Sequence, residues 1–264
     1  MTDNNNSLFN SKTGKSVIVA FDHGIAGNIY NQNPRTLAEK FIAAQPDGVL
    51  MSPPLIRLCS DLFDKYPDVV PIATLATISR TPIFAGPMQI FDFDFAVEMG
   101  ARAIKNLLVI GQSDGLFMLD NMRNTAYLAS KARKKGITFM VEAVAWGPQI
   151  NLDRQNDPEN IAKVCRIALE CGADVIKTTY TGDPKSFREI TSNIPVPIIV
   201  LGGVKGELQN VFQGVRDALD SGANGVAIGR NVFQRENPQV IVNALKRVVH
   251  NNVGVKEALT KMKS

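Results

Sequence analysis

Eight short apolar runs, spaced along the chain with helical segments between them, constrain the fold more than any other feature. They cover residues 17–21, 48–51, 70–75, 103–110, 138–144, 175–178, 197–201 and 225–228. Most are apolar at consecutive positions rather than at alternate ones, which is the pattern of parallel strands covered on both faces. The segments between them read as helices over 34–44, 55–66, 92–99, 120–135, 158–171, 208–220, 237–250 and 255–262. Asn33 before Pro34 is an N-cap followed by proline at the first helical position. Arg133, Lys134 and Lys135 fill the last turn before Gly136, where cations complement the helix dipole. Gly100-Ala101, Gly172-Ala173 and Gly222-Ala223 each close a helix just before an apolar run, as the αβ connection of a repeated βα unit does. Eight such units in 264 residues predict an α/β fold, a single (β/α)8 TIM barrel domain over 1–264, with 1–10 as a flexible tail. An open doubly wound sheet is the alternative. Phe21-Asp22-His23-Gly24, after the first run, is no dinucleotide fingerprint.

Composition narrows the function classes. The net charge is +4 and the basic residues are scattered, so nucleic-acid binding is not expected, while an anionic small substrate is compatible. The apolar runs fall far short of a membrane span, and the polar start has no signal-like apolar core. Cys59, Cys165 and Cys171 have no metal-ligand spacing; the last two fall on or near one helix and read as core or helix-face residues. A cytoplasmic protein without a membrane span is expected.

In a (β/α)8 barrel the active site lies at the carboxyl ends of the strands. There the sixth run ends in Val175-Ile176-Lys177-Thr178. An amine taken out of water holds its proton less tightly, and a free amine can attack a ketone to form an imine. The plainer alternative is a lysine that opens the following loop and points to water. Asp22 and His23 end the first strand, where either could orient a substrate hydroxyl or assist proton transfer, or form a polar turn. Glu142 on the fifth apolar run needs a partner, which Lys177 or Lys105 could supply; it is an acid/base group or half of a structural ion pair. Lys105 sits early in the fourth strand and reads as structural. Tyr180 follows Lys177 closely. His250, near the last long helix, reads as a surface or packing histidine. The loops after strands seven and eight carry Gly202, Gly203 and Lys205, then Gly229 and Arg230. Barrels commonly hold phosphate at these two loops, where glycines let N–H groups approach the oxyanion and Arg or Lys adds charge. Tight turns are the plainer alternative for these glycines.

Taken in order, Lys15–Gly24, Val175–Pro184, Gly202-Gly203-Val204-Lys205 and Gly225–Gln234 resemble the archaeal-type class I fructose-bisphosphate aldolases. This DeoC-like superfamily also holds the phospho-autoinducer-2 thiolases and the amino-dideoxy-heptulosonate synthases. The resemblance spans nearly the whole chain. It implies a TIM barrel and Schiff-base chemistry without a metal or cofactor. Lys177 would form the imine, Asp22 would contact substrate hydroxyls, and Gly202, Gly203, Gly229 and Arg230 would hold a phosphate. It also implies a phosphorylated small-molecule substrate and a large homo-oligomer. One departure stands out: fructose-bisphosphate aldolases of this type carry a tyrosine near the end of strand five, and Val144 takes that position here. Glu142 or Tyr180 would then move the proton, or the reaction differs. The implied activity is aldol cleavage or condensation of a phosphorylated ketose, giving dihydroxyacetone phosphate and an aldehyde. The alternatives are acetyl transfer from a phosphorylated diketone to coenzyme A and an aldol-type transferase. From a different class, a catalytically silent sugar-phosphate sensor is also compatible.

Overall fold

The computed structural model describes residues 8–27, 32–78 and 87–262. Eight parallel strands close into one barrel: β1 (Ser16–Ala20), β2 (Gly48–Met51), β3 (Val70–Thr74), β4 (Ala103–Val109), β5 (Thr138–Val144), β6 (Val175–Thr178), β7 (Ile198–Leu201) and β8 (Gly225–Ile228). Closure comes from β1 pairing with both β2 and β8, with Ser16 beside Gly225 at the seam. The predicted (β/α)8 barrel is therefore the fold, and each of the eight apolar runs marks one strand, with β1 starting one residue before its run.

The outer layer is α1 (Pro34–Ile42), α2 (Pro53–Leu58), α3 (Ser60–Lys65), α4 (Phe93–Glu98), α5 (Gly115–Lys135), α6 (Pro158–Glu170), α7 (Pro184–Asn193), α8 (Leu208–Asp220), α9 (Arg230–Phe233), α10 (Pro238–Val249) and α11 (Val255–Thr260). Asn33 caps α1 by accepting from the N–H groups of Arg35 (3.0 Å) and Thr36 (3.1 Å). The helix expected over 55–66 is instead two short helices, α2 and α3, which meet at Cys59. The one expected from 120 begins five residues earlier, because Asp114 accepts from the N–H of Leu116 and caps Gly115 onward. Helix α7 is additional to the expectation. Asp183 caps it through the N–H of Ser186 at 2.8 Å, with Pro184 at its first position. After β3, Ala76–Ile78 pairs antiparallel with Pro87–Gln89, a hairpin arm the apolar pattern does not announce.

Outward-facing strand residues pack against the helices in the main core, where Phe41, Phe139, Phe187 and Phe212 are fully buried. Each such ring contributes roughly 1.5–3 kcal/mol of burial free energy. Inward-facing residues alternate along each strand. The lowest inner layer is apolar: Ile18, Ile72, Ala103, Met140, Val175, Ile199 and Ala227, closed from below by Leu8 with Phe9 against it. The expected tail over 1–10 is corrected here for residues 8–10. Leu8 is only 2% exposed, and the Asn10 carbonyl accepts from Gly14 in a turn leading into β1. An apolar side chain that seals the barrel floor cannot also be a free tail. Residues 1–7 lie outside the described residues.

Candidate active site

Above that floor the alternation brings five polar side chains inside, one inward position up on β3, β4, β5 and β6 and two beyond Ile18 of β1. From Ile18 it reaches Asp22 through Ala20, from Ile72 it reaches Thr74, and from Ala103 it reaches Lys105. From Met140 it reaches Glu142 and from Val175 it reaches Lys177. β5 and β6 are in register at this level, so Glu142 lies directly beside Lys177.

The side chains form one connected cluster. Lys177 Nζ lies 3.0 Å from Glu142 Oε1, and Lys105 Nζ lies 2.8 Å from Glu142 Oε2. Lys105 Nζ is also 3.3 Å from Asp22 Oδ2, which accepts from the Thr74 hydroxyl at 2.7 Å. Lys105 and Lys177 are each 3% exposed, so neither ammonium is a surface group. A lysine at a strand end that points to water is thus not what the barrel contains. Nor is Lys105 remote: it starts low on β4, but its four-carbon stem climbs one layer and sets the ammonium between both carboxylates. Strand position alone does not give that reach.

Burial pushes Asp22 up, but Lys105, Lys177, His23 and the Thr74 bond outweigh it and bring its carboxyl down to about 2. Burial acts the same way on Glu142, and the two ammonium groups again prevail, holding it below the usual carboxylate range. Burial pulls Lys105 down, whereas Glu142 and Asp22 raise it above the ordinary lysine value. The layer therefore holds ionised carboxylates with a fixed cation between them.

Beside the cluster, His23 Nδ1 stands 3.7 Å from Asp22 Oδ1, and the ring packs edge-on against Phe233. Burial lowers the His23 pKa, against the pull of Asp22. Its ring lies so close to Gly229 that a Cβ there would come within 2.4 Å of His23 Cε1 and 2.5 Å of the Ala20 carbonyl. Gly202 leaves as little space on the other side, where a Cβ would meet Ile228 at 2.6 Å. The end of β7 thus lies close against β8, and the end of β8 close against Ala20 and His23.

A residue to which the sequence reading gave no role holds the loops after β7 and β8 together. Asn231, 1% exposed, donates to the carbonyls of Gly202 (3.0 Å) and Val204 (2.8 Å) and accepts from the Gly206 N–H (3.0 Å). An asparagine right after Gly229-Arg230 was the available signal. Arg230 donates to the Gly203 carbonyl at 3.3 Å, while Lys205, exposed, donates to the Gln234 carbonyl at 3.0 Å. Gly203, Arg230 and Lys205 are therefore together at the mouth.

Tyr180 is not brought to the cluster. Its ring packs edge-on against Phe187 of α7, and burial, with Asp217 and Asp183, raises its pKa. Val144 faces the interior with Leu107 and Val109, so an apolar wall stands where the resemblance places a tyrosine. His250 lies elsewhere, bonded to Asp47 (2.8 Å) and Thr13 (3.0 Å). The three cysteines are buried and free, as core residues. Among the described residues no group of three or more His, Cys, Asp or Glu side chains is arranged to hold a metal ion. No helix there is long and apolar enough to cross a membrane.

Residues 16–235 match a family model described as DeoC/LacD family aldolase. The chain is 30% identical, over 95% of both sequences, to a Saccharolobus solfataricus protein described as an uncharacterized aldolase. It is 29% identical to the 3-hydroxy-5-phosphonooxypentane-2,4-dione thiolase of Shigella flexneri serotype 5b, over 93% of this chain and 91% of that protein. A solved Schiff-base-forming fructose-1,6-bisphosphate aldolase superposes with a TM-score of 0.75 at 30% identity, covering 92% of this chain and 97% of that one.

Proposed function

Since this chain belongs to the DeoC/LacD aldolase family, we propose that it is a metal-independent Schiff-base aldolase acting on a phosphorylated ketose through Lys177. The observation that carries this reading is the buried Lys177 ammonium 3.0 Å from the Glu142 carboxylate.

To attack, Lys177 must lose a proton, and Glu142 is the acceptor in contact with it. The transfer is self-reinforcing. As Lys177 becomes neutral, Glu142 loses one of the two cations that hold its pKa down, so its proton affinity rises. Lys105 stays charged and keeps both carboxylates in place. The amine adds to the substrate ketone, and the protonated Glu142 supplies the proton that lets hydroxide leave as water, giving the iminium. That cation draws electrons from the bond between the carbon next to it and the hydroxyl-bearing carbon beyond, which breaks to leave the enamine. Asp22 or Glu142 takes the proton from the hydroxyl on the departing carbon, which leaves as an aldehyde. Protonation of the enamine and addition of water then release dihydroxyacetone phosphate and restore the amine. Gly202, Gly203, Gly229 and Arg230, with Lys205 and His23 at the rim, hold the phosphate. Binding energy spent there aligns the carbonyl with Lys177.

Borohydride reduction in the presence of dihydroxyacetone phosphate, followed by peptide mass mapping, tests the reading. A reduced adduct on Lys177 is expected; labelling of another lysine, or of none, sinks it. A second reading is supported by the Shigella relative's name and by the absence of an interior tyrosine at Val144. In it the same imine passes an acetyl group from a phosphorylated diketone to coenzyme A, and product formation depends on the thiol.

A further inference from the structure

We propose that Asn231 is a positioning residue for the phosphate: its side-chain amide fixes the peptide planes of the loop after β7 so that the N–H groups of Gly203, Val204 and Lys205 face the oxyanion. The inference rests on the Schiff-base reading above and names the side chain on which recognition of the phosphorylated half of the substrate depends.

The loop is gripped by its carbonyls. Asn231 Nδ2 donates to those of Gly202 at 3.0 Å and Val204 at 2.8 Å. Arg230 donates to the Gly203 carbonyl between them at 3.3 Å. Arg235 donates to the Gly206 carbonyl and, at 3.3 Å, to Asn231 Oδ1. The carbonyls of Gly202, Gly203, Val204 and Gly206 therefore all turn toward side chains of one segment, 230–235.

In a planar trans peptide the N–H points away from the carbonyl of the same plane. With the carbonyls of Gly202, Gly203 and Val204 drawn to Asn231 and Arg230, the N–H groups of Gly203, Val204 and Lys205 face the other way. Among the described residues none of these N–H groups has an acceptor. Gly203 has φ 63°, the left-handed backbone that lets neighbouring N–H groups converge on an anion. Gly206 ends the run, because its N–H turns back and donates to Asn231 Oδ1 at 3.0 Å. The loop is open to solvent, with Val204 69% exposed, so a phosphate can reach it.

Asparagine fits this place because one planar group offers two donors and an acceptor. Asn231 is 1% exposed, so water does not compete for its bonds. Without them the peptide planes after Gly202 and Val204 are free to turn over. A carbonyl would then meet the phosphate where an N–H stood, and attraction would become repulsion. The N–H face is the far side of the loop from Asn231, so Asn231 acts on the phosphate through the backbone and not by contact.

The full-length protein is trapped with borohydride, once with dihydroxyacetone phosphate and once with excess dihydroxyacetone, which lacks the phosphate. The second-order rate constant of Lys177 labelling is followed by peptide mass mapping. If dihydroxyacetone phosphate does not label Lys177 of the wild type, the Schiff-base reading fails and this inference falls with it. If it does, Asn231→Asp and Asn231→Ala are compared with wild type. The aspartate keeps the shape and the bond from Gly206 while losing the two donated bonds; the alanine loses them without adding charge. In both, labelling by dihydroxyacetone phosphate should slow at least about tenfold and labelling by dihydroxyacetone should change less than about twofold. Labelling by dihydroxyacetone also shows that the site is folded. Equal slowing with both ketones, or no slowing with dihydroxyacetone phosphate, overturns the inference.

Discussion

Lys105 and Lys177 grip the same carboxylate from opposite sides: their ammonium groups lie 2.8 Å and 3.0 Å from the two oxygens of Glu142. Only Lys105 has a second anion, Asp22, at 3.3 Å. The two lysines are therefore unequal. Without the Lys177 ammonium, Lys105 would still contact both carboxylates; without the Lys105 ammonium, Asp22 would lose its ammonium contact. In the proposed mechanism the lysine on β6 becomes the amine.

Lys177→Ala is expected to reduce turnover at least about 10⁴-fold, since Lys105, the other amine of the cluster, is held as an ammonium between Glu142 and Asp22. Lys105 still neutralises Glu142, so the circular dichroism spectrum should stay native. Substantial residual cleavage by a folded variant contradicts the assignment.

Glu142→Gln keeps the shape of the side chain and removes its charge. Turnover should fall about 10²–10⁴-fold, the range for loss of an acid/base group. Glu142→Ala adds a stability cost of about 3–5 kcal/mol, because two buried ammonium groups lose their shared partner. Urea midpoints of the two variants separate chemistry from folding.

Lys105→Met tests the electrostatic role through pH. Burial pushes Asp22 and Glu142 up, and Lys105 is the largest counterweight for each. Without it both pKa values rise, so the acid limb of kcat/KM moves to higher pH. An acid limb that stays in place shows that neither carboxylate must be ionised for reaction.

Asp22 also ties stability to acidity. Its folded pKa, about 2, lies below the ordinary 3.8. The stabilisation is fully present above pH 4 and is lost as pH falls toward 2, on the order of 2 kcal/mol. Asp22→Asn should flatten the stability-versus-pH curve in that window, and a curve parallel to wild type counts against it.

Gly229→Ala forces a methyl group against His23 and the Ala20 carbonyl. Such overpacking costs about 1–3 kcal/mol. The variant should show a raised KM for dihydroxyacetone phosphate with a smaller change in kcat, since the strain falls on the loop proposed to hold the phosphate and not on Lys177.

The strands were legible because a parallel barrel buries both faces, and consecutive apolar residues record this directly. Lys177, Glu142 and Asp22 stood out because a charged residue on or at the end of such a run breaks its pattern. Lys105 broke the pattern equally, yet its role depends on a side chain that spans a layer, which strand position does not encode. Helix α7 was obscured because Asp183 and Pro184 read as a loop when their capping role is overlooked. The role of Asn231 was hidden for another reason: its position after Gly229-Arg230 was readable, but its partners are carbonyls and an N–H on a different loop, which residue types do not record. Tyr180 misled through nearness in sequence, since one step beyond Thr179 the alternation turns its ring outward to Phe187.

Leu8 and the apolar floor give the charged layer a single open side. Hydrogen isotope from heavy water can then reach an intermediate only from the mouth, so one face of a planar carbon held there is shielded by the protein. Label should enter a single prochiral position of the three-carbon product, and the handedness of that carbon would be a record of how the barrel is corked.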